Sequence, residues 1–221
     1  MDVANSRSVT SNQDGIHEKL EDIVTTHLRA PFLKPIASHT KVAFEAVKKH
    51  VDAFTGPLVF DSCCGVGEST ANIAKQHPQA LVIGIDKSSH RLNKHNVEYR
   101  QSEFGQYLLV RADLNDFWRL AVEAGWQLSH HYLLYPNPWP KAKHIKRRWH
   151  GGSVFPYILK LGGQLEVRSN WSTYVEEFAY ALTLAGFPTS AEPYESNEPI
   201  TPFERKYWGS GQSSTRLTRM L

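Results

Sequence analysis

Cysteine is almost missing from this 221-residue chain: its only two, Cys63 and Cys64, are neighbours, and adjacent residues rarely reach disulfide geometry. No disulfide framework is available, which suits a reducing compartment, and the expected location is the cytoplasm. No stretch approaches the roughly 20 consecutive apolar residues of a membrane span. Residues 1–15 (MDVANSRSVTSNQDG) also lack the apolar run of a signal peptide, so no membrane partner is expected. Charge of one sign is scarce as well: a net +3 does not identify a nucleic-acid binder unless the charge is clustered. What is plentiful excludes a wholly disordered, collagen-like or coiled-coil chain, since 41% of residues are hydrophobic and 11% aromatic. The length fits one α/β core better than two independent domains.

Residues 1–15 are polar and aperiodic, which predicts a disordered tail. Ile16, Leu20, Ile23, Val24 and Leu28 then recur at helical spacing. A second such run holds Val42, Ala43, Ala46, Val47 and Val51 behind Ser38 or Thr40 as N-cap. These two amphipathic helices form an N-terminal extension over 16–55. From residue 58 short apolar runs alternate with helical segments, ending in turn at Asp61, Asp86, Asp113 and Pro136. The runs are apolar throughout, as parallel strands covered on both faces require, and their spacing suits one strand plus one returning helix. The fold class expected is α/β, a doubly wound, mostly parallel sheet. QLEVRS at 164–169 follows the Gly162-Gly163 turn as a fifth strand, a helix begins near Trp171, and a last strand lies around 214–220. The single domain then spans 16–221, with its core at 56–187 and a C-terminal substrate element at 188–221, of which 188–202 reads as a long connection.

Ligands of open parallel sheets bind beyond the carboxyl ends of the strands. The first such turn reads Asp61-Ser-Cys63-Cys-Gly65-Val-Gly67; its glycines let backbone approach a ligand, and a helix N-terminus with free amide donors follows. A dinucleotide fingerprint would need glycine where Thr70 stands, and a P-loop would need Gly-Lys-Ser/Thr. Asp86 ends the second strand, where a carboxylate can accept from both hydroxyls of a ribose, and Asp113 ends the third; either is also a candidate helix N-cap. After the fourth strand comes Tyr135-Pro-Asn-Pro-Trp-Pro-Lys-Ala-Lys-His-Ile-Lys-Arg-Arg148, with five Lys or Arg in residues 141–148 and Trp139 and Trp149 beside them. Cations for phosphate and flat rings for base stacking together form a nucleic-acid footprint. His90, His95, His130, His131 and His144 have no Cys or carboxylate at metal-ligand spacing, so no metal is expected. The cysteines read as small buried residues.

The first turn resembles motif I of class I S-adenosylmethionine-dependent methyltransferases, with Cys63 in place of the usual first glycine. PNPWPKAKHIKRR resembles the F-P-D-P-W-P-K-x-x-H-x-K-R-R signature of the tRNA (guanine-N(7))-methyltransferases. Thr201-Pro-Phe203-Glu204-Arg is similar to that family's C-terminal T-x-F-E element, and Asn170-Trp171 to its Asp-Trp pair. The resemblance implies a Rossmann-like fold, S-adenosyl-L-methionine as cofactor, tRNA as partner, and methyl transfer to N(7) of a guanine, the variable-loop guanine at position 46. It places the donor against Asp61, Cys63, Gly65, Gly67, Asp86, Lys87, Asp113, Leu114 and Asn137. It places the RNA against Trp139, Lys141, Lys143, His144, Lys146, Arg147, Arg148, Asn170, Thr201, Phe203 and Glu204. Monomer and homodimer are both open.

Two departures fall on the catalytic positions: the family's aspartates are Asn137 and Asn170 here. An amide keeps hydrogen-bonding capacity but loses the charge and gains donors. Guanine N(7) carries a lone pair and no proton, so its attack needs alignment rather than a general base. Asn137, Asn170 and Glu204 are the candidate catalytic residues, with Glu204 the carboxylate left to accept from the guanine edge. Two alternatives stand beside this: Asn137-Pro138 also resembles the Asn-Pro-Pro-aromatic motif of exocyclic-amine methyltransferases, and the two amides suit a tRNA- and donor-binding paralogue with impaired turnover.

Overall fold

The computed structural model describes residues 6–95 and 106–221. Its strands β1 (Leu58–Ser62), β2 (Leu81–Asp86), β3 (Gln106–Arg111), β4 (His130–Leu134), β5 (Gln164–Ser169), β6 (Glu192–Tyr194) and β7 (Ser214–Met220) form one sheet in the order β3-β2-β1-β4-β5-β7-β6. The first five pair in parallel and β7 runs antiparallel to both β5 and β6. Strand order reverses between β1 and β4, so a crevice opens there at the carboxyl edge. β1 and β2 are buried along their whole length, which is why their sequences read as unbroken apolar runs. The doubly wound α/β expectation holds, including the strand at 214–220.

Helices α1 (Leu20–Arg29), α2 (Ser38–Asp52), α3 (Glu68–Gln76), α4 (Ser89–Leu92), α5 (Leu114–Glu123), α6 (Phe155–Leu161), α7 (Ser172–Leu184) and α8 (Pro202–Trp208) accompany the sheet. Leu20 and Val24 of α1 and Phe44 and Val47 of α2 are fully or nearly buried. Ile16 precedes α1 and Val42 faces solvent, so the apolar spacing overstates each buried stripe. Neither suggested N-cap operates: Ala37 caps α2, and the buried Thr40 hydroxyl instead accepts from the Asp113 N–H at 3.3 Å. The connection 188–202 contains β6, a three-residue edge strand that tolerates Pro193 because an edge leaves one ladder side unpaired.

Residues 6–15, expected as disordered tail, carry no regular secondary structure but are tied down by polar contacts; residues 1–5 of that tail lie outside the described residues. The Ser6 N–H donates to Ser210 Oγ and the Ser6 carbonyl accepts from Gln212 Nε2 at 2.8 Å. Ser11 Oγ donates to the Pro140 carbonyl, Asn12 Oδ1 accepts from the Ala142 N–H at 3.0 Å, and Gln13 Nε2 donates to Glu177. Polarity without apolar periodicity predicts no burial, yet it supplies the donors and acceptors used here.

Beneath that segment lies a buried ion pair. Arg148 and Glu177 both have fully buried side chains and bond directly to one another. His150 donates to the same Glu177 oxygen at 2.9 Å, while its other oxygen takes Gln13 and the His17 N–H. Arg148 also donates to the Trp139 carbonyl and to Gln13 Oε1. Burial raises the Glu177 pKa, but His150 and Arg148 outweigh it and hold the carboxyl down at about 2. A carboxyl depressed on folding adds stability that is present above its unfolded value, near 4.5, and lost as pH falls towards 2. Glu177→Leu is expected to cost about 3–5 kcal/mol in urea unfolding at pH 7, because it strands a buried guanidinium. Its unfolding free energy should fall less than the parent's between pH 4.5 and 2; an equal fall would remove Glu177 from the acid response.

Candidate active site

The turn after β1 is built to bring backbone close to the crevice. Cys63, with φ +68°, adopts the left-handed conformation that favours glycine, and Gly67, at φ +79°, caps α3. A Cβ on Gly67 would collide with Leu109 and His95, whereas a Cβ on Gly65 would meet nothing within 4 Å. The Gly65 edge is thus open where a ligand approaches. The Gly65 N–H donates to Asp86 Oδ2, and Asp86 Oδ1 accepts from the Ser88 N–H at 2.8 Å and from Arg91 at 3.0 Å. Asp61 is wholly buried and accepts from Ser69 and Thr70 at 2.6 and 2.7 Å through one oxygen; the other has no partner among the described residues. Burial, reinforced by the Asp86 charge, pushes its carboxyl up to about 6 against those two hydrogen bonds. Burial likewise pushes the Cys63 thiol up to about 12, so it is no nucleophile at neutral pH.

A cavity of about 610 Å³ opens at this edge, within the range of small-molecule sites. On one side stand Cys63, Asp86, Lys87, Asp113 and Leu114; on the other Asn137, Trp139, Lys146, Arg147 and Arg148. Ten residues expected from sequence therefore share one wall. Asp113 caps α5, accepting from the Asn115 N–H at 2.9 Å, and also lines the cavity. Two strand-end aspartates, Asp86 and Asp113, beside the Cys63 turn fit a ligand carrying hydroxyls and an amine. Asp86 and Asp113 would hold the ribose and adenine of S-adenosylmethionine, beside Lys87 and Leu114. A larger cleft of about 920 Å³ lies by Lys49, Phe54, Leu81 and Gln106, where β2 and β3 begin, away from this edge.

The loop after β4 turns sharply: Tyr135 and Trp139 take φ of +50° and +47°, a conformation uncommon for side-chain-bearing residues. Tyr135 is held through its hydroxyl to Ser214 at 2.7 Å, and Trp139 through its carbonyl to Arg148. The Trp139 N–H donates to Asn137 Oδ1 at 3.3 Å. The Arg147 guanidinium stacks 4.7 Å from the Trp139 ring, and Lys141, Lys143 and His144 run along an adjoining exposed 3-10 turn over Ala142–Arg147. Loss of hydration and the neighbouring Arg147, Lys143 and Lys141 charges lower the His144 pKa.

Several expected roles are corrected. Arg148 lines the cavity but its guanidinium is spent on Glu177 and the Trp139 carbonyl, which excludes it as a phosphate ligand. Glu204 is fully buried: Arg168 takes one oxygen at 2.7 Å and the Ile200 and Thr201 N–H groups take the other. With Thr201 it forms the capping box of α8, so neither side chain reaches a guanine edge. Phe203 packs against Tyr135 and Tyr207 rather than entering the cavity. Asp61, Gly65, Gly67, Lys141, Lys143, His144 and Asn170 lie outside the cavity wall. Asn170, just past β5, donates through Nδ2 to Gln212 Oε1 at 2.9 Å. The wall also takes in Trp149, read from sequence as a stacking ring, and Arg91, Ala112, Asn115, Tyr135, Pro136 and Gly152. No group of three or more His, Cys, Asp or Glu able to hold a metal occurs among the described residues, nor does a helix long and apolar enough to cross a membrane.

Known proteins resemble this chain in sequence or in fold. The model of a family described as "Putative methyltransferase" matches residues 55–217. A tRNA (guanine-N(7)-)-methyltransferase of Treponema pallidum (strain Nichols) is 28% identical over 201 residues, covering 85% of this chain and 79% of that protein. One from Agrobacterium fabrum is 32% identical over 164 residues, covering 70% of each. Among solved structures, the 16S rRNA methyltransferase KamB aligns with a TM-score of 0.61 at 16% identity, over 80% of this chain and 93% of that one, a likeness of fold alone. The strand-end aspartates, the basic loop and these relatives agree, and the chain belongs to the tRNA (guanine-N(7)-)-methyltransferase family.

Proposed function

We propose that this protein transfers a methyl group from S-adenosylmethionine to N(7) of a guanine in tRNA, at position 46 of the variable loop, as a cytoplasmic enzyme. One observation carries the reading: the donor-side residues Cys63, Asp86 and Asp113 and the loop residues Asn137, Trp139, Lys146 and Arg147 line the same cavity. Donor and target are thereby brought together with no travel between sites, and alignment is the contribution this reaction needs. Bound S-adenosylmethionine supplies an electrophilic methyl on a sulfonium sulfur, which the N(7) lone pair takes as the carbon–sulfur bond breaks. Asp86 and Asp113 orient the donor. Trp139 offers a ring to the base, and Lys146 and Arg147 meet phosphate. No side chain has to remove a proton. The amine-methylating motif has its aromatic three residues after the asparagine, whereas here Trp139 stands two residues after Asn137.

Incubation with labelled S-adenosylmethionine and an unmodified tRNA transcript, followed by mapping of alkali-labile guanines, should place the label at the variable-loop guanine. Alkali-stable label would mean an exocyclic-amine product, and binding of both ligands without transfer would mean a binding protein. The phosphate assignment has its own test. Arg147→Ala should weaken tRNA binding and reduce the slope of log K against log salt by about one. Arg148→Ala should instead lower the unfolding free energy by roughly 3–5 kcal/mol, its partner Glu177 being left buried and unpaired. Equal effects of the two on the salt slope would overturn the division between them.

A further inference from the structure

A second cleft, of about 490 Å³, opens on the same edge of the sheet as the active-site cavity. Because β7 runs antiparallel to both β5 and β6, the chain leaving Tyr194 and the chain entering Ser214 both stand at the carboxyl edge. The wall of the cleft takes in Glu195, Ser196 and Asn197, just past β6, and Trp208, Gln212 and Ser213, before β7. A single hydroxyl joins it to the active site: Ser214 Oγ bonds the hydroxyl of Tyr135, a residue of the cavity wall, at 2.7 Å and accepts from Trp208 Nε1 at 2.9 Å. β5 and β7 separate β6 from β4, which leads into the target loop, a span of about 14 Å at ordinary strand spacing.

What the cleft offers a ligand is decided by which of its groups are already used. Trp208 has spent its only donor on Ser214, so it contributes ring surface alone. Both ends of the Gln212 amide are taken, by Asn170 Nδ2 and by the Ser6 carbonyl. The Ser196 hydroxyl is taken by Glu198 within its own turn. Glu195, Asn197 and Ser213 are exposed and have no hydrogen-bond partner among the described residues. A carboxylate, an amide and a hydroxyl are therefore free beside an aromatic ring, and the described wall holds no Lys, Arg or His. That set repels a phosphate and suits a flat ring carrying N–H donors. Guanine is the RNA base whose edge sets two such donors, the N1–H and the N2 amine, side by side, and a carboxylate has two oxygens to take them. Cations for the backbone of the same strand flank the cleft: Arg7 follows Ser6, and the exposed Lys206 precedes Trp208 by two residues.

We propose that this cleft is a second base-binding site for the RNA substrate, taking an unpaired guanine a few nucleotides from the methylated one, stacked on Trp208 with its N1–H and N2 amine donating to Glu195. Unpaired bases are the part of an RNA that proteins read by stacking on rings and by hydrogen bonds at the Watson–Crick edge. Two bases held on one rigid sheet edge fix the strand between them, so the cleft favours a loop that presents both and disfavours RNA with a single exposed guanine. Ser214 is a positioning group, since it orients Tyr135 in one wall and Trp208 in the other. The assignment rests on the tRNA methylation proposed above.

Two measurements on the full-length protein separate the site from the reaction. Protein labelled with 5-fluorotryptophan and saturated with S-adenosylhomocysteine is titrated with guanosine, the Trp208 fluorine resonance being assigned by its loss in Trp208→Phe. That resonance should move with guanosine at an affinity about fivefold or more above that for adenosine, and Glu195→Gln should remove the preference. The second measurement is methylation of transcripts made abasic, one at a time, at nucleotides near the target guanine. One position should raise KM about fivefold or more with kcat unchanged. Glu195→Gln, at an exposed position, should raise KM comparably on the intact transcript and by less than about twofold further on the abasic one, as coupled partners do. A Trp208 resonance that guanosine leaves unmoved, or the two losses multiplying in full, overturns the site and leaves the methylation standing. Absence of transfer by the parent protein overturns the reaction, and with it the place of this site beside a methylated base, even where the resonance moves.

Discussion

The buried pair Arg148–Glu177 is the constraint on which the target side of this protein depends. A guanidinium without water must satisfy its donors within the protein, and Arg148 does so by gripping Glu177 of α7 and the Trp139 carbonyl together. That grip fixes the loop at Trp139, a residue held at φ +47°, and thereby the Asx turn in which the Trp139 N–H meets Asn137. Glu177, for its part, collects Gln13 and the His17 N–H, drawing the N-terminal segment over the same loop. The core helix α7, the basic loop and the chain's beginning are thus parts of one polar network. Such a network is costly to leave half satisfied, so breaking any member unsettles the others.

A comparable arrangement closes the other flank. Arg168 at the end of β5 joins Glu166 and the buried Glu204, whose second oxygen caps α8. The C-terminal element is therefore docked by charge as well as by the Tyr135, Phe203 and Tyr207 rings. Between these two anchors lies the carboxyl edge of β4 and β5, where both asparagines stand.

The parallel core was legible because burial on both faces leaves unbroken apolar runs, and because Asp61, Asp86 and Asp113 mark where strands end. That Cys63, Asp86 and Asp113 line the cavity followed from the same strand ends. Other features were less accessible for physical reasons. Arg147 and Arg148 are identical in type, and only the curl of the 3-10 turn sends one to solvent and the other inward. Thr201-Pro-Phe-Glu204 carried a readable signal that was assigned to the substrate: a threonine three residues before a glutamate, with proline at the first helical position, is a helix start. The segment 6–15 offered no such signal, since Ser6 is attached through backbone groups that every sequence possesses and Ser11, Asn12 and Gln13 through polar side chains common in loops.

The amides also bear on how little chemistry the protein must perform. Transfer from a sulfonium to a neutral ring nitrogen moves one positive charge from sulfur to the base and leaves the total unchanged. A carboxylate beside the base would favour that arrival, and two asparagines forgo the help. The cavity wall, which Asn137 joins, nonetheless carries Lys87, Arg91, Lys146 and Arg147 against Asp86 and Asp113, an excess of positive charge that the phosphates of a bound RNA would offset. Positive charge arriving on the base is therefore disfavoured until the RNA is seated. A site that relies on alignment rather than local charge then works on guanine presented in nucleic acid and poorly on the free base.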